Sequence, residues 1–536
     1  MDKTAQARSA TGPGAAPATP TDLDLLVVGS GVAGLTAALR ARAVEPGLRV
    51  GLISKHRLAD SATGWAQGGL AAVLGSDEAA ADGSDTPERH AADTIRAACG
   101  LADHEAVDVL VREGPQRLRD LAALGAFFDR DRAGRWLLSR EAGHSAARVV
   151  HAGGAATGAE VERALIEVVR ATVDTVVEEC SALDLVIDGG RCVGVVTSKG
   201  PIRSRHTVVA TGGSGQLYPV TTNPPEATAD GLAMAIRAGA AVADIEFVQF
   251  HPTALNIEGW EGPRLLLSEA LRGEGALLRD DRGERFVDEL LPRDVVAAAI
   301  ATRGGAWLDL TPVEDFETRF PTLAQAVRAA GLDPAGDRLP VAPAAHYHCG
   351  GIMTDLSGAT TLPGLWAAGE VACTGIHGAN RLASNSLVEG LVMATRAVDA
   401  LAAGRDGPQP TGALRALLEP EPPRPGSVPV RCMAAPRRPV IRPGAGDPGG
   451  VLGALRECMS SGAGVERSAA SLDAAGSQLE RLAATGVPAG EAANLLTVAR
   501  ALVAAATART ESRGGHRRRD HPSTDARLSL RFVQWQ

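Results

Sequence analysis

The chain has 536 residues, 45% hydrophobic and 22% charged, with 54 Lys+Arg against 63 Asp+Glu and a net charge of −9. That length supports several domains with ample buried core and excludes a small disulfide-stapled fold; the negative balance disfavours a nucleic-acid partner, and no apolar run approaches the ~18 residues of a membrane span. Seven dispersed cysteines with no CxxC pair indicate neither a zinc knuckle nor an iron–sulfur cluster, so no metal is expected, and reduced thiols make the cytoplasm the default.

Residues 1–20, rich in Ala, Thr, Pro and Gly without the apolar core of a signal peptide, read as a disordered tail. Leu23 to Val28 predicts a strand that ends at a glycine turn, Gly29-Ser30-Gly31-Val32-Ala33-Gly34, and passes into a helix from Leu35. Gly29 permits the tight turn, Gly31 lets the backbone approach a pyrophosphate, and Gly34 allows close helix–strand packing, while the N–H groups at the helix start attract an anion. A second strand, Arg49 to Ser54, follows at the spacing of a dinucleotide-binding unit. The ribose-binding acid of the common NAD pattern is missing there, and Ser54-Lys55 stands in its place. Only three of the 54 basic residues are lysines (Lys3, Lys55 and Lys199), which singles out Lys55. Next, Ser61 to Gly69 brings Ala62, Thr63, Ala66, Gln67, Gly68 and Gly69 together, a mixture of hydroxyl, amide and glycine suited to wrapping a flat polar ring.

Val208 to Gly213, with Thr211 and Gly212, reads as another strand meeting a glycine turn, and Gly364 to Glu370 as a third. Three such turns far apart in the chain suggest one sheet built from distant segments, with Glu370 placed to hold a flavin ribityl chain. Between them, Glu246 to His348 is dense in His, Arg, Glu and Gly and reads as an inserted lid. Beyond residue 406 a Pro-rich linker, Pro408 to Pro425, leads into Ala/Leu/Arg-rich segments with helical spacing at Ala469 to Ala484 and Ala489 to Ala506. The expected class is α/β. A Rossmann-like FAD-binding domain (21–244 and 349–405) carries an inserted α+β capping domain (245–348) and a C-terminal helical domain (406–536).

Eleven runs in order resemble the succinate dehydrogenase and fumarate reductase flavoprotein family: GSGVAGL, SK at 54–55, WAQGG at 65–69, ATGG at 210–213, TTNP at 221–224, QFHPTAL at 249–255, EALRGEGA at 269–276, PRDVV at 292–296, GLWAAGE at 364–370, HGANRLASNSLVEGL at 377–391 and ESRGGHRRRDHP at 511–522. Within it, SREAGHS at 139–145 resembles the L-aspartate oxidase branch. The resemblance implies FAD, with Lys55, Asp230, Ser386 and Leu387 joining the glycine-turn residues as cofactor contacts. It also implies that the FAD is non-covalent, because Ala62 stands where the dehydrogenase branch has its flavin-linking histidine.

What the resemblance implies for substrate is a four-carbon dicarboxylate held by His251, Thr253 and Ser268 at one end and by His346 and Arg381 at the other. Arg293 takes the family's acid/base role, and Glu269 with Arg272, at i and i+3, forms a proton route to it or else a surface ion pair. Glu141 faces a substrate ammonium. The implied reaction is two-electron oxidation of L-aspartate to iminoaspartate, with oxygen (giving hydrogen peroxide) or fumarate (giving succinate) as acceptor and quinolinate synthase as downstream partner. The rivals are a soluble fumarate reductase or succinate dehydrogenase flavoprotein subunit, against which Glu141 and Ala62 argue, and a catalytically silent flavin-binding protein, against which Arg293, His251 and Arg381 argue.

Overall fold

The computed structural model describes residues 22–80, 83–260, 262–420, 424–439 and 448–535; the expected tail over 1–20 lies outside them. The strand Asp22–Val28 has Val50–Ile53 and then Thr175–Val177 on one side and Gly200–Val209 on the other, all parallel. Leu365–Ala367 runs parallel to the far end of Gly200–Val209, and Arg191–Thr197 with Ala182–Asp188 extends the sheet antiparallel. Register decides where the cavity forms. Val28 and Ala367 both pair with Val209, so the glycine turns that follow the three strands stand side by side at their carboxyl ends.

Alternation along the first strand sorts its side chains between two cores. Leu25 and Val27 face the helices Val32–Val44 and Ser386–Ala402, while Leu26 and Val28 face the helix Asp230–Ala238 and the C-terminal helices. Small residues let the first pair of helices approach closely: a Cβ at Gly390 would lie 2.9 Å from Val32 Cγ1.

Residues 248–348 form a four-stranded antiparallel sheet in the order Val248–Leu255, Leu339–His348, Ala306–Asp309, Leu277–Arg279, with the helices Glu269–Gly273, Arg293–Arg303 and Pro321–Ala329 around a separate apolar core. The pairing of Val248–Leu255 with Leu339–His348 is irregular between Gln249 and Phe250 and between His251 and Ala254. Pro252, which has no N–H to give, falls in the second irregularity, and such bulges re-aim the side chains beside them.

Three C-terminal helices, Pro448–Ala463, Ala469–Thr485 and Glu491–Ala508, pack on the second core. The C-terminal segment is also strand-forming. Arg531–Trp535 inserts between Val430–Ala434 and Val242–Ala243 in a five-stranded sheet completed by Gly351–Met353 and Ala372–Cys373. No helix among the described residues is long and apolar enough to cross a membrane.

Candidate active site

One large cavity runs from the glycine turns to the inner face of the lid. Its floor is built by absence of side chains. Gly29, at φ +112°, would place a Cβ 2.3 Å from Ala210 O, and a Cβ at Gly213 would lie 2.1 Å from Glu370 Oε1. Gly34 does not line the cavity: its Cβ would fall 1.9 Å from Gly29 O, so its role is the close packing of helix on strand. The other glycine-turn residues, Ala62, Thr63 and the run from Ala66 to Gly69 line the floor, together with Thr211, Gly212, Ser386 and Leu387. Thr63 Oγ1 accepts the N–H of Val32 at 2.9 Å, tying this loop to the helix start, and the buried amide oxygen of Gln67 has no partner. A flat, anionic-tailed group fits such a backbone-lined cleft.

Lys55 is not a solvated lysine. Its side chain is 17% exposed, and its ammonium donates to Asp230 Oδ2 at 3.0 Å, Glu491 Oε1 at 2.7 Å and Thr228 Oγ1 at 2.7 Å; the residue still lines the cavity with Asp230. Burial opposes its charge, but Asp230 and Glu491 raise its pKa above the ordinary value. Glu370 accepts the N–H of His348 at 2.8 Å, and burial pushes its carboxyl up to about 7.

The opposite wall is cationic. Arg293, the first residue of its helix, donates through Nε and Nη2 to the two oxygens of Glu269 at 3.0 and 3.1 Å, and Arg272 Nη2 donates to Glu269 Oε1 at 2.9 Å. This is a buried chain, not a surface pair: the side chains of Arg272 and Glu269 are 0% and 3% exposed. Burial alone would raise Glu269, but Arg293 and Arg272 hold it down at about 2. Arg381 has Ser386 Oγ as an acceptor at 2.9 Å and the Tyr347 ring 4.5 Å from its guanidinium, while its buried Nε has no partner. Burial, then Arg293, lowers its pKa.

His251 and His346 meet edge to face at 5.3 Å. Burial, reinforced by Arg293 and other cations, holds both well below the usual histidine value, so both are neutral at pH 7. The Thr253 N–H points at His251 Nδ1 from 3.3 Å, which makes that nitrogen the acceptor and leaves Nε2–H as a buried donor without a protein partner. Thr253 therefore differs from the sequence expectation. Its hydroxyl is fully buried, donates to Leu267 O at 2.7 Å and does not line the cavity, so the residue acts on His251 through its backbone. Ser268 lines the cavity and Arg272 stands behind Glu269. Glu141 reaches the same cavity from the other domain, where its Oε2 accepts from Ser384 Oγ at 2.6 Å.

Sequence reading missed three partners. Gln249 Oε1 accepts from Arg293 Nη1 at 2.9 Å and from Arg381 Nη2 at 3.4 Å, bridging the two cations. It lies two residues before His251, a spacing that signals a shared strand face. Thr222 Oγ1 lies 2.8 Å from His346 Nδ1, fixing that ring. Ser384 had no local signal.

An FAD binding domain family model matches residues 24–387, and one for the fumarate reductase flavoprotein C-terminus matches 483–535. The L-aspartate oxidase of Streptomyces coelicolor is 47% identical, over 95% of this chain and 90% of its own, and that of Caulobacter vibrioides is 45% identical over 93% and 94%. Among solved structures, a quinol-fumarate reductase with menaquinol superposes with TM-score 0.81 at 28% identity, covering 95% of this chain and 94% of that one. Mycobacterium smegmatis Sdh1 gives 0.77 at 31%, covering 95% and 91%. The cleft's backbone-lined floor thus has its ligand, FAD, and with relatives this similar over nearly the whole length the chain belongs to the L-aspartate oxidase family of FAD-binding flavoproteins.

Proposed function

We propose that this enzyme oxidises L-aspartate to iminoaspartate, the first step of NAD synthesis by way of quinolinate. One observation carries the reading: Glu141, a carboxylate, shares the cavity with Arg293, Arg381, His251 and His346, so the pocket offers an anion to an ammonium as well as cations to two carboxylates. FAD, when bound in the cleft, supplies the two-electron acceptor, which oxygen or fumarate reoxidises. Arg381 and His346 hold one substrate carboxylate; Ser268 and the Nε2–H of His251 hold the other. Because both histidines are neutral, the positive charge that balances a dicarboxylate resides on the arginines.

Arg293 sits where a proton is exchanged beside the reacting carbon, and Glu269 with Arg272 forms the hydrogen-bonded path behind it. A guanidinium hardly ever deprotonates, so orientation supplies most of its effect. Lid residues shut water out, which strengthens each charge contact. The product is an imine that hydrolyses readily, and quinolinate synthase is the enzyme to consume it.

The test is anaerobic reduction of the yellow protein. L-Aspartate should bleach it, with succinate and D-aspartate at least tenfold less effective; bleaching by succinate alone would favour a dicarboxylate dehydrogenase. Ala62 offers no nucleophile, so acid precipitation should leave the yellow colour in the supernatant, and colour in the pellet would disprove non-covalent binding.

A further inference from the structure

Among the described residues Ser384 is one of six non-glycine residues with positive φ, at +61°, and it lies buried against the cavity. A serine in the left-handed region persists only where the surroundings over-determine it, and such residues cluster at functional sites. The turn around it is held at several points. Ala71 N–H donates to Ser384 O at 3.0 Å, and the Asn385 side chain lies 2.9 Å from His90 Nε2 and 3.0 Å from Thr94 Oγ1. His144 Nδ1 faces Arg148 Nη1, a donor, at 2.9 Å; its proton is therefore on Nε2, which donates to Ala383 O at 3.0 Å. Arg148, itself fully buried, is fixed by Asp85 and Asp93 at 2.7 Å. The loop that carries Glu141 is thereby clamped to the turn that carries Ser384, although the two residues are 243 positions apart.

The clamp sets one contact, Ser384 Oγ to Glu141 Oε2 at 2.6 Å. The other carboxylate oxygen, Oε1, is 3.7 Å from His151 Nε2, beyond hydrogen-bond range, and that His151 nitrogen lies 2.7 Å from Ser139 Oγ. We propose that Ser384 is the positioning residue for amine recognition: its hydroxyl takes one oxygen of Glu141 and so presents Oε1 to the substrate ammonium. This rests on the reading of Glu141 given above.

The experiment compares Ser384→Ala and Ser384→Gly in the FAD-loaded enzyme, alone and combined with Glu141→Gln. The readout is the ratio of kcat/KM for L-aspartate to that for fumarate, with succinate affinity measured from the flavin spectrum. Losing one hydrogen bond to a charged group predicts a drop in the ratio of about tenfold in both serine variants. The loss should appear in KM for L-aspartate more than in kcat, with succinate affinity changed far less, and should vanish in the Glu141→Gln background. Ser384→Gly relieves the backbone, so it carries the test should the alanine variant not fold. A parallel fall for both substrates, or an undiminished effect of the serine variants in the Glu141→Gln background, overturns the positioning role while leaving Glu141's own role standing. No change of ratio in Glu141→Gln itself overturns the amine-recognition reading, and the present proposal with it.

Discussion

Two buried networks of arginine, glutamate and histidine lie in this molecule, and their difference separates chemistry from architecture. Behind the lid, Arg509 gives Nε to Glu246 at 2.7 Å, Nη1 to Glu511 at 2.9 Å and Nη2 to Leu530 O at 2.9 Å, between the rings of Phe247 and Phe532. Arg513 takes both oxygens of Glu511, so two cations face two carboxylates and none of the four lines the cavity. In the site, Arg272, Arg293 and Arg381 gather around Glu269, with Glu141 in the same cavity, and the neutral histidines add no charge. This cationic wall suits a dicarboxylate. A network whose arginines are spent on protein carboxylates and carbonyls stabilises; one that lines a cavity is completed by its ligand.

Breaking each network should therefore have opposite signatures. The largest effect is expected of Arg293→Leu, which should lower turnover with L-aspartate by several orders of magnitude and weaken dicarboxylate binding far less; near-normal turnover in stopped-flow assays would refute its role. Arg509→Met should cost about 3–5 kcal/mol of stability by stranding Glu246, while Glu511 keeps Arg513, seen as a lower melting temperature with turnover per folded molecule retained. Glu141→Gln, which keeps shape and removes charge, should reduce kcat/KM for L-aspartate relative to fumarate by ten- to a hundredfold, since a charge-assisted bond is worth about 1.5–3 kcal/mol.

The smallest effect sharpens the contrast from inside the cavity. Glu370 has the His348 N–H as its hydrogen-bond donor in place of an arginine, and burial raises it to about 7, whereas Arg293 and Arg272 drive Glu269 down to about 2. Below the ordinary carboxyl value of 4.5 Glu370 is protonated folded or unfolded and costs nothing. Between there and about 7 the unfolded chain ionises while the folded one holds its proton, so stability falls as pH rises and then levels off. Glu370→Gln should flatten that slope in the flavin-free protein, a difference on the order of one or two degrees in melting temperature across pH 5–8. Parallel curves for the two proteins would refute the assignment.

Legibility followed sequence distance. Gly29, Gly31 and Gly34 lie within six residues, and their roles are fixed by local backbone demands, so the turn and its packing could be read directly. The cationic wall was readable residue by residue but not as a wall: Gln249 joins Arg293 to Arg381 across 44 and 132 positions, and nothing near it in the chain says so. Thr253, which the family resemblance put on the substrate, gives its hydroxyl to Leu267 O, an acceptor 14 positions away that no local pattern marks. Ser384 was silent, since a left-handed φ at a non-glycine residue has no sequence marker, and the strand Arg531–Trp535 was hidden behind the helical composition before it.

That strand bears on how the protein is made. Arg531 pairs with Asp244 and also donates to Leu101 O at 2.8 Å, at the point where the chain enters the lid. Its neighbours in the sheet, Val242–Ala243 and Val430–Ala434, cannot be joined until Arg531–Trp535 has left the ribosome. This five-stranded sheet is therefore completed only after translation has passed Trp535. A stop before Arg531 would remove the strand that joins Val242–Ala243 to Val430–Ala434 and leave both with unpaired edges.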